Sequence, residues 1–381
     1  MGDPLLGGLT PRRFMTAYWH KHPLLVRGAV PGFSGCLDRD ELFALACRDE
    51  VESRLVRREA RHWHLEHGPF RLRNLRALPK RDWTLLVQGI NLHHPAGAEL
   101  LDRFDFIPHA RMDDLMASYA VPGGGVGPHF DSYDVFLLQG DGRRRWQVSE
   151  QDDLDLDPRA PLRILRRFRA MGSCVLDPGD MLYLPPRVAH HGVAVDTCTT
   201  WSVGFRAPAH RELAAEFLSD LAERLDFEGR YADPGLAPTR HPGRISPHML
   251  DTTAAILARI RWTRGDVEDF LGRYLSEPKA GVFFDRPQPA LSYRDFAARI
   301  GRWGAVLDRR TRLLYGPRAL YVNGEACRFP RGVPETLRVL ADGRRLSPGS
   351  YAPGVAGLLH DWHDSGFLHL VSRDDSASAK S

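Results

Sequence analysis

Short apolar runs broken by Gly and Pro fill the middle of the chain, and longer amphipathic periods flank them. The runs Trp83-Thr-Leu-Leu-Val-Gln88, Asp134-Val-Phe-Leu-Leu-Gln139, Arg145-Trp-Gln-Val-Ser149, Ser173-Cys-Val-Leu176, Asp180-Met-Leu-Tyr-Leu184 and Thr200-Trp-Ser-Val-Gly-Phe205 are too short for helices. Turn formers such as Gly140-Asp-Gly142 and Asp177-Pro-Gly-Asp180 separate them, which predicts an all-β body. Upstream, Phe14, Tyr18 and Trp19 recur at helical spacing until Pro23, Leu24 to Val26 reads as a strand, and a helix over 38–47 buries Leu42, Leu45 and Ala46.

Beyond Pro208 the period becomes helical. Leu213, Phe217, Leu221 and Leu225 form one stripe with Leu218 beside it. After a Pro/Gly-rich link from Gly229 to Pro247, helices are expected over 249–262 and 266–275. A last stretch mixes a helix over 293–303 with strands near Leu320 and Phe367, and the polar end from Ser372 reads as disordered. The chain therefore divides into 1–91, N-terminal helices and strands packing on a barrel; 92–210, the β body; 211–275, a helical region; and 276–381, a small α and β module.

Composition bounds the function. A chain of 381 residues with 43% hydrophobic content can bury more than one core. It carries no long apolar run and its first residues lack the pattern of a signal peptide, so a cytoplasmic protein without membrane contact is expected. Cys36, Cys47, Cys174, Cys198 and Cys327 are scattered without a Cys-x-x-Cys pair, which supports neither a disulfide framework nor a zinc ribbon. Residues 92–275 hold 21 basic and 27 acidic side chains although the whole chain is at +4. An acidic middle between basic ends argues against a nucleic-acid channel there and favours a cationic substrate such as a basic protein segment. Only four of the 52 basic residues are lysine, which reflects composition rather than arginine-specific recognition.

The candidate chemistry sits in two segments of the β body. In Gly123-Gly-Gly-Val-Gly-Pro-His129-Phe-Asp131, His129 and Asp131 are two apart, so on a strand both point to one face. One more imidazole completes a facial triad, the arrangement that holds divalent iron and leaves positions open for a co-substrate and dioxygen. No Gly-Lys-Ser/Thr follows the glycine run and no helix opens there, so close backbone approach explains it better than a phosphate cradle. His64, His67, His93 and His94 fit no ligand spacing and read as structural or exposed.

The second segment, Gly179-Asp-Met-Leu-Tyr-Leu-Pro185-Pro-Arg-Val-Ala-His190, resembles the second motif of the cupins, with Gly179, Pro185 and His190 at the motif positions. Arg187 stands where cupins usually have Gly, and Ala194 where they often have Asn. The block Val121 to Trp146, with Gly204-Phe-Arg-Ala-Pro208 later, resembles the bacterial ribosomal oxygenases, JmjC-type cupins that hydroxylate an arginine of a large-subunit ribosomal protein. The resemblance implies a double-stranded β-helix, mainly β with helices, using Fe(II), 2-oxoglutarate and dioxygen. It implies His129, Asp131 and His190 as iron ligands, His190 being preferred to His191 by its slot after the proline. It places Arg144, Ser118 and Ser202 around the co-substrate carboxylate. A guanidinium grips a carboxylate with two parallel hydrogen bonds, and alternation lets Arg144 face inward while Arg143 and Arg145 face solvent. It further implies a homodimer through 211–275 and a winged-helix-like domain over 276–381 that serves protein contacts rather than nucleic acid. Other members hydroxylate histidine or have been proposed to demethylate lysine; the block Arg143 to Trp146 favours arginine. The rival from another class is a catalytically silent cupin acting as a ribosome-binding or assembly module.

Overall fold

The computed structural model describes residues 4–60 and 62–371, so the polar end from Ser372 lies outside the described residues. Two compact units emerge, one running to Ala207 and taking in Ala280–Phe283, the other made of Pro208–Lys279 and everything from Phe284 onward.

In the first unit, eleven strands form two antiparallel sheets: β1 (Leu24–Val26), β2 (Ser53–Glu59), β3 (His62–His67), β4 (Trp83–Val87), β5 (Met112–Ala120), β6 (Val135–Gln139), β7 (Arg144–Ser149), β8 (Gly172–Leu176), β9 (Met181–Leu184), β10 (Ala189–Ala194) and β11 (Cys198–Phe205). The large sheet has the order β1-β9-β6-β11-β5-β4-β2-β3 and the small one β10-β7-β8. Side chains alternate across each strand, so the large sheet has two distinct faces. One carries Leu55, Leu85, Leu115, Ala117, Phe136, Trp201 and Val203 into a core closed by Phe14, Leu42 and Phe43 of the N-terminal helices and by Phe104 in a following turn. The other packs Val135, Leu137, Leu182 and Leu184 against Trp146, Leu176 and Val188 of the small-sheet side.

This arrangement redraws the expected domain limits. The first 91 residues lend β1 to β4 to the large sheet and their helices to its core, so no boundary falls near 91. The helix Arg39–Ala46 starts on Asp38, whose carboxylate accepts from Glu41 N at 2.9 Å while Glu41 reaches back to Asp38 N at 2.8 Å. That capping box fixes where the helix begins and so sets Leu42, Phe43 and Leu45 against the sheet.

The second unit holds the helices His210–Glu223, Pro247–Leu257 and Arg264–Ser276 together with the C-terminal module. The helix Arg264–Ser276 packs on the hairpin strands β13 (Leu313–Tyr315), β14 (Ala319–Val322) and β15 (Glu325–Arg328), which follow β12 (Ala305–Leu307). A Cβ at Gly272 would lie 2.3 Å from Tyr321, and Arg328 meets Asp269 at 2.7 Å, so this helix is built into the C-terminal body. The expected strand near Leu320 is a hairpin: Asn323 and Gly324 at its tip have positive φ.

The helical stripe also differs from expectation. Leu221 is buried and Phe217 packs edge-on against Trp262 and Phe270 of the same subunit, so Leu213, Phe217, Leu221 and Leu225 face inward. Leu218, Leu250 and Leu257 are apolar side chains left more than half exposed. Asp220 meets Arg224 at the end of its own helix at 2.8 Å and ties that helix to Arg264–Ser276 through Arg273 at 2.5 Å. Among the described residues, no helix is long and apolar enough to cross a membrane.

Candidate active site

His129 and His190 meet across a bridge between two segments, each donating its backbone N–H to the other's carbonyl, at 2.9 and 2.8 Å. Glycines make that approach possible. A Cβ at Gly125 would lie 2.3 Å from Gly192 O, and one at Gly124 would lie 2.0 Å from Trp83 O. Backbone atoms cannot yield as the end of a flexible side group does, so only glycine fits. The second segment is tied to the first by Arg187 N, which donates to Asp131 O at 2.8 Å. Arg187 adopts φ +67, a left-handed conformation that glycine takes without strain and that a side chain enters only at a cost.

Ligand atoms of His129, Asp131 and His190 all lie within 4.8 Å of one another, and no other such group of three occurs among the described residues. The two rings are oriented for metal binding. His129 Nδ1 is 3.0 Å from Gly127 O and His190 Nδ1 is 2.9 Å from Val188 O. A carbonyl only accepts, so Nδ1 carries the proton and the Nε2 lone pair is left to ligate. Burial, reinforced by His129, pushes the His190 pKa down to about 4, against the opposing pull of Asp131, so the ring is neutral at physiological pH. His190 Nε2 is 3.6 Å from Asp131 Oδ2, a spacing that an ion between them would bridge. His191 is half-buried beside the Phe168 ring and is not in the triad.

Asp134 anchors the far end of the metal loop. It is fully buried, and Tyr183 donates its hydroxyl to Oδ1 at 2.5 Å while His20 N donates at 3.3 Å. The N-terminal segment thereby holds the backbone three residues beyond Asp131.

The triad opens into a cavity of about 360 Å³ whose lining includes Ser118, Arg144 and Ser202. Arg144 is 4% exposed, donates from Nη2 to Ser118 Oγ at 2.9 Å, and lies 3.8 Å from Cys198 Sγ. Its Nε is buried without any acceptor. A guanidinium held by a hydroxyl and a sulfur, with one donor orphaned, fits a dicarboxylate that brings the missing acceptor. Alternation works as expected, since Arg143 and Arg145 are exposed and Arg143 pairs with Asp196 at 2.9 Å.

Several lining residues could not be anticipated from local pattern. Cross-strand registry gives the reason: Arg54 pairs with Leu86, Leu86 with Ser118, and Ser118 with Thr200, and all four line the cavity. Asp114 and Met116 share the parity of Ser118 on β5 and also line it, as do Asp113 and Tyr133. Parity counted outward from Ser118 would have found Asp114 and Met116, whereas Arg54 needs the strand order, which no local pattern carries.

A JmjC-domain profile matches residues 99–213 and a ROXA-like winged-helix profile matches residues 259–369. The ribosomal protein uL16 3-hydroxylase of Escherichia coli (strain K12) is 35% identical over 320 residues, covering 83% of this protein and 85% of that one. A probable ribosomal oxygenase of Haemophilus influenzae is 40% identical over 233 residues, 60% of this protein and 55% of that one. Among solved structures, YcfD, a ribosomal oxygenase from E. coli in complex with cobalt and 2-oxoglutarate, superimposes with a TM-score of 0.81 at 32% identity, covering 95% of this protein and 98% of that one. The same protein has been solved with cobalt and succinic acid.

Proposed function

The chain belongs to the bacterial ribosomal oxygenases, and from that membership we propose that it hydroxylates an arginine side chain of a large-subunit ribosomal protein of the uL16 type, in the cytoplasm. The observation that carries the reading is the triad of His129, Asp131 and His190 opening into the same cavity as Arg144 and Ser118. Iron(II) held by these residues would supply the oxidation in which 2-oxoglutarate and dioxygen give succinate and carbon dioxide, one oxygen atom entering succinate and the other a C–H bond of the substrate residue.

The protein's own residues bind and orient. His129 and His190 present Nε2 atoms on rings fixed through Nδ1 by backbone carbonyls, and Asp131 supplies a carboxylate. Arg144, with Ser118 and Ser202, takes the co-substrate's distal carboxylate in a site shielded from water, where a charge-assisted pair is strong. Asp113 and Asp114 line the cavity and offer carboxylates to a substrate guanidinium. The winged-helix domain serves protein contacts on this reading, and nucleic acid is not a partner.

Replacing His190 with Ala removes one of three ligands. We expect loss of 2-oxoglutarate turnover to background with iron and ascorbate present, in a protein that still folds; undiminished turnover in the variant would sink the assignment of the site, whereas the absence of any iron-dependent mass change on substrate with the wild-type protein would support the silent-cupin alternative. Intact-protein mass spectrometry of ribosomal proteins from cells with and without the gene fixes the substrate. A +16 shift mapping to a histidine of another ribosomal protein would replace arginine with the histidine reading.

The homodimer rests on the exposed apolar side chains of the second unit, Leu218, Leu250 and Leu257 among them. A second copy of the protein would cover them in an isologous interface. Because these positions are exposed, the pair Leu250→Asp and Leu257→Asp should leave the subunit folded and convert a sedimenting dimer into a monomer. A wild-type protein that already sediments as a monomer at micromolar concentration removes the interface.

A further inference from the structure

Trp146 carries the most informative unsatisfied group in the cavity. It stands two residues after Arg144 on β7 and therefore on the same side of the small sheet, and both residues line the cavity. The ring is 5% exposed, and its Nε1 is buried with no acceptor. A buried indole N–H without a partner costs roughly the desolvation of that donor, so native indoles almost always find one. Among the residues lining the cavity, Arg144 Nε and Arg54 Nε lack an acceptor as well.

The ring is held where it is. A Cβ at Gly192 would lie 2.6 Å from Trp146 Cζ3, so the glycine exists to admit the six-membered ring, and Gly192 faces Trp146 in the β7–β10 ladder. Its ring centre is 5.8 Å from the Arg144 guanidinium carbon and also 5.8 Å from the His190 ring centre. Trp146 thus stands equally close to the co-substrate anchor and to His190 of the triad, in the lining of the cavity they share. A carboxylate offers about four lone-pair sites, more than Arg144 and Ser118 fill.

Resting on the reading of Arg144 as the co-substrate anchor, we propose that Trp146 is a further co-substrate-binding residue, its indole N–H donating to the distal carboxylate that Arg144 grips. The purely structural alternative is that Trp146 only packs between Gly192 and His190. Phenylalanine keeps an aromatic ring there and removes the donor, so Trp146→Phe separates the two.

The experiment uses the full-length protein loaded with Zn(II), with no turnover required. Calorimetric titration of Trp146→Phe with 2-oxoglutarate should show affinity at least about ten-fold weaker than wild type, the expected worth of a hydrogen bond to a charged acceptor. Binding of 2-oxopentanoate, which lacks the distal carboxylate, should be alike in the two proteins. In protein carrying ¹⁵N-labelled tryptophan, the indole resonance absent from Trp146→Phe should shift when 2-oxoglutarate is added. Wild-type affinity in the variant, equal losses for both ligands, or an indole resonance that does not move would each overturn the proposal. If wild type itself fails to bind 2-oxoglutarate, the co-substrate reading falls too, a result distinguishable from wild-type binding that the variant shares.

Discussion

The two faces of the large sheet come from the same strands and are closed in opposite ways. On the packed face, Leu115, Ala117, Phe136, Trp201 and Val203 meet the side chains of the N-terminal helices in a continuous apolar core. On the cavity face, Arg54, Ser118, Thr200 and Ser202 interrupt the apolar residues, and the fold closes through glycine-mediated backbone contact at Gly125 and Gly192. One face stores stability and the other holds a shape. Substitutions on alternate residues of one strand should therefore produce different kinds of damage.

The largest effect belongs to the packed face. Phe136 is fully buried and touches Phe14, Phe104, Tyr183 and Phe205 in one aromatic cluster. Phe136→Ala should cost about 3–5 kcal/mol in urea unfolding, through lost burial and the cavity left behind. The fraction that remains folded should bind 2-oxoglutarate with near wild-type affinity. A stability loss below about 1 kcal/mol would mean that the helices are not closing that face.

Ser118→Ala sharpens the contrast from the other side. Ser118 is buried, accepts from Arg144 at 2.9 Å and lies 3.2 Å from Thr84 Oγ1. Losing the hydroxyl frees the guanidinium from its protein partner, a change of about 1–2 kcal/mol in stability at most. The larger consequence is expected in 2-oxoglutarate affinity, which should fall several-fold while the unfolding transition stays cooperative. Equal stability losses for Ser118→Ala and Phe136→Ala would erase the distinction between the faces.

That distinction explains what could be read in advance. The convergence of His129, Asp131 and His190 was legible because His129 and Asp131 are two apart and His190 follows Pro185 at a fixed spacing, both local patterns. Arg144 was picked out by the family resemblance, and alternation within one strand agreed with a single inward arginine between two solvated ones. The β body and the helix over 293–303 followed from period alone, the latter matching Tyr293–Trp303. What escaped depends on distant pairing: Arg54 joins the cavity only because β2 pairs with β4 and β4 with β5. The inward turn of the Phe217 stripe was hidden for the same reason, since Trp262 and Phe270 reach it from further along the sequence. An amphipathic stripe states that a face is buried and leaves open what buries it.

The smallest expected effect tests whether the cavity face is held by backbone shape alone. Arg187 is exposed, adopts φ +67, and its N–H donates to Asp131 O. Glycine at this position keeps that hydrogen bond and removes the left-handed strain, a gain of about 1 kcal/mol. It also loosens the unfolded state, which costs roughly 0.5–1 kcal/mol. The two terms nearly cancel, so Arg187→Gly should leave stability within about 0.5 kcal/mol of wild type and metal affinity unchanged, as read by urea unfolding and by titration with Zn(II). A many-fold drop in metal affinity would show that the Arg187 guanidinium or its stem itself supports Asp131. The cavity face would then depend on packed side groups as the other face does.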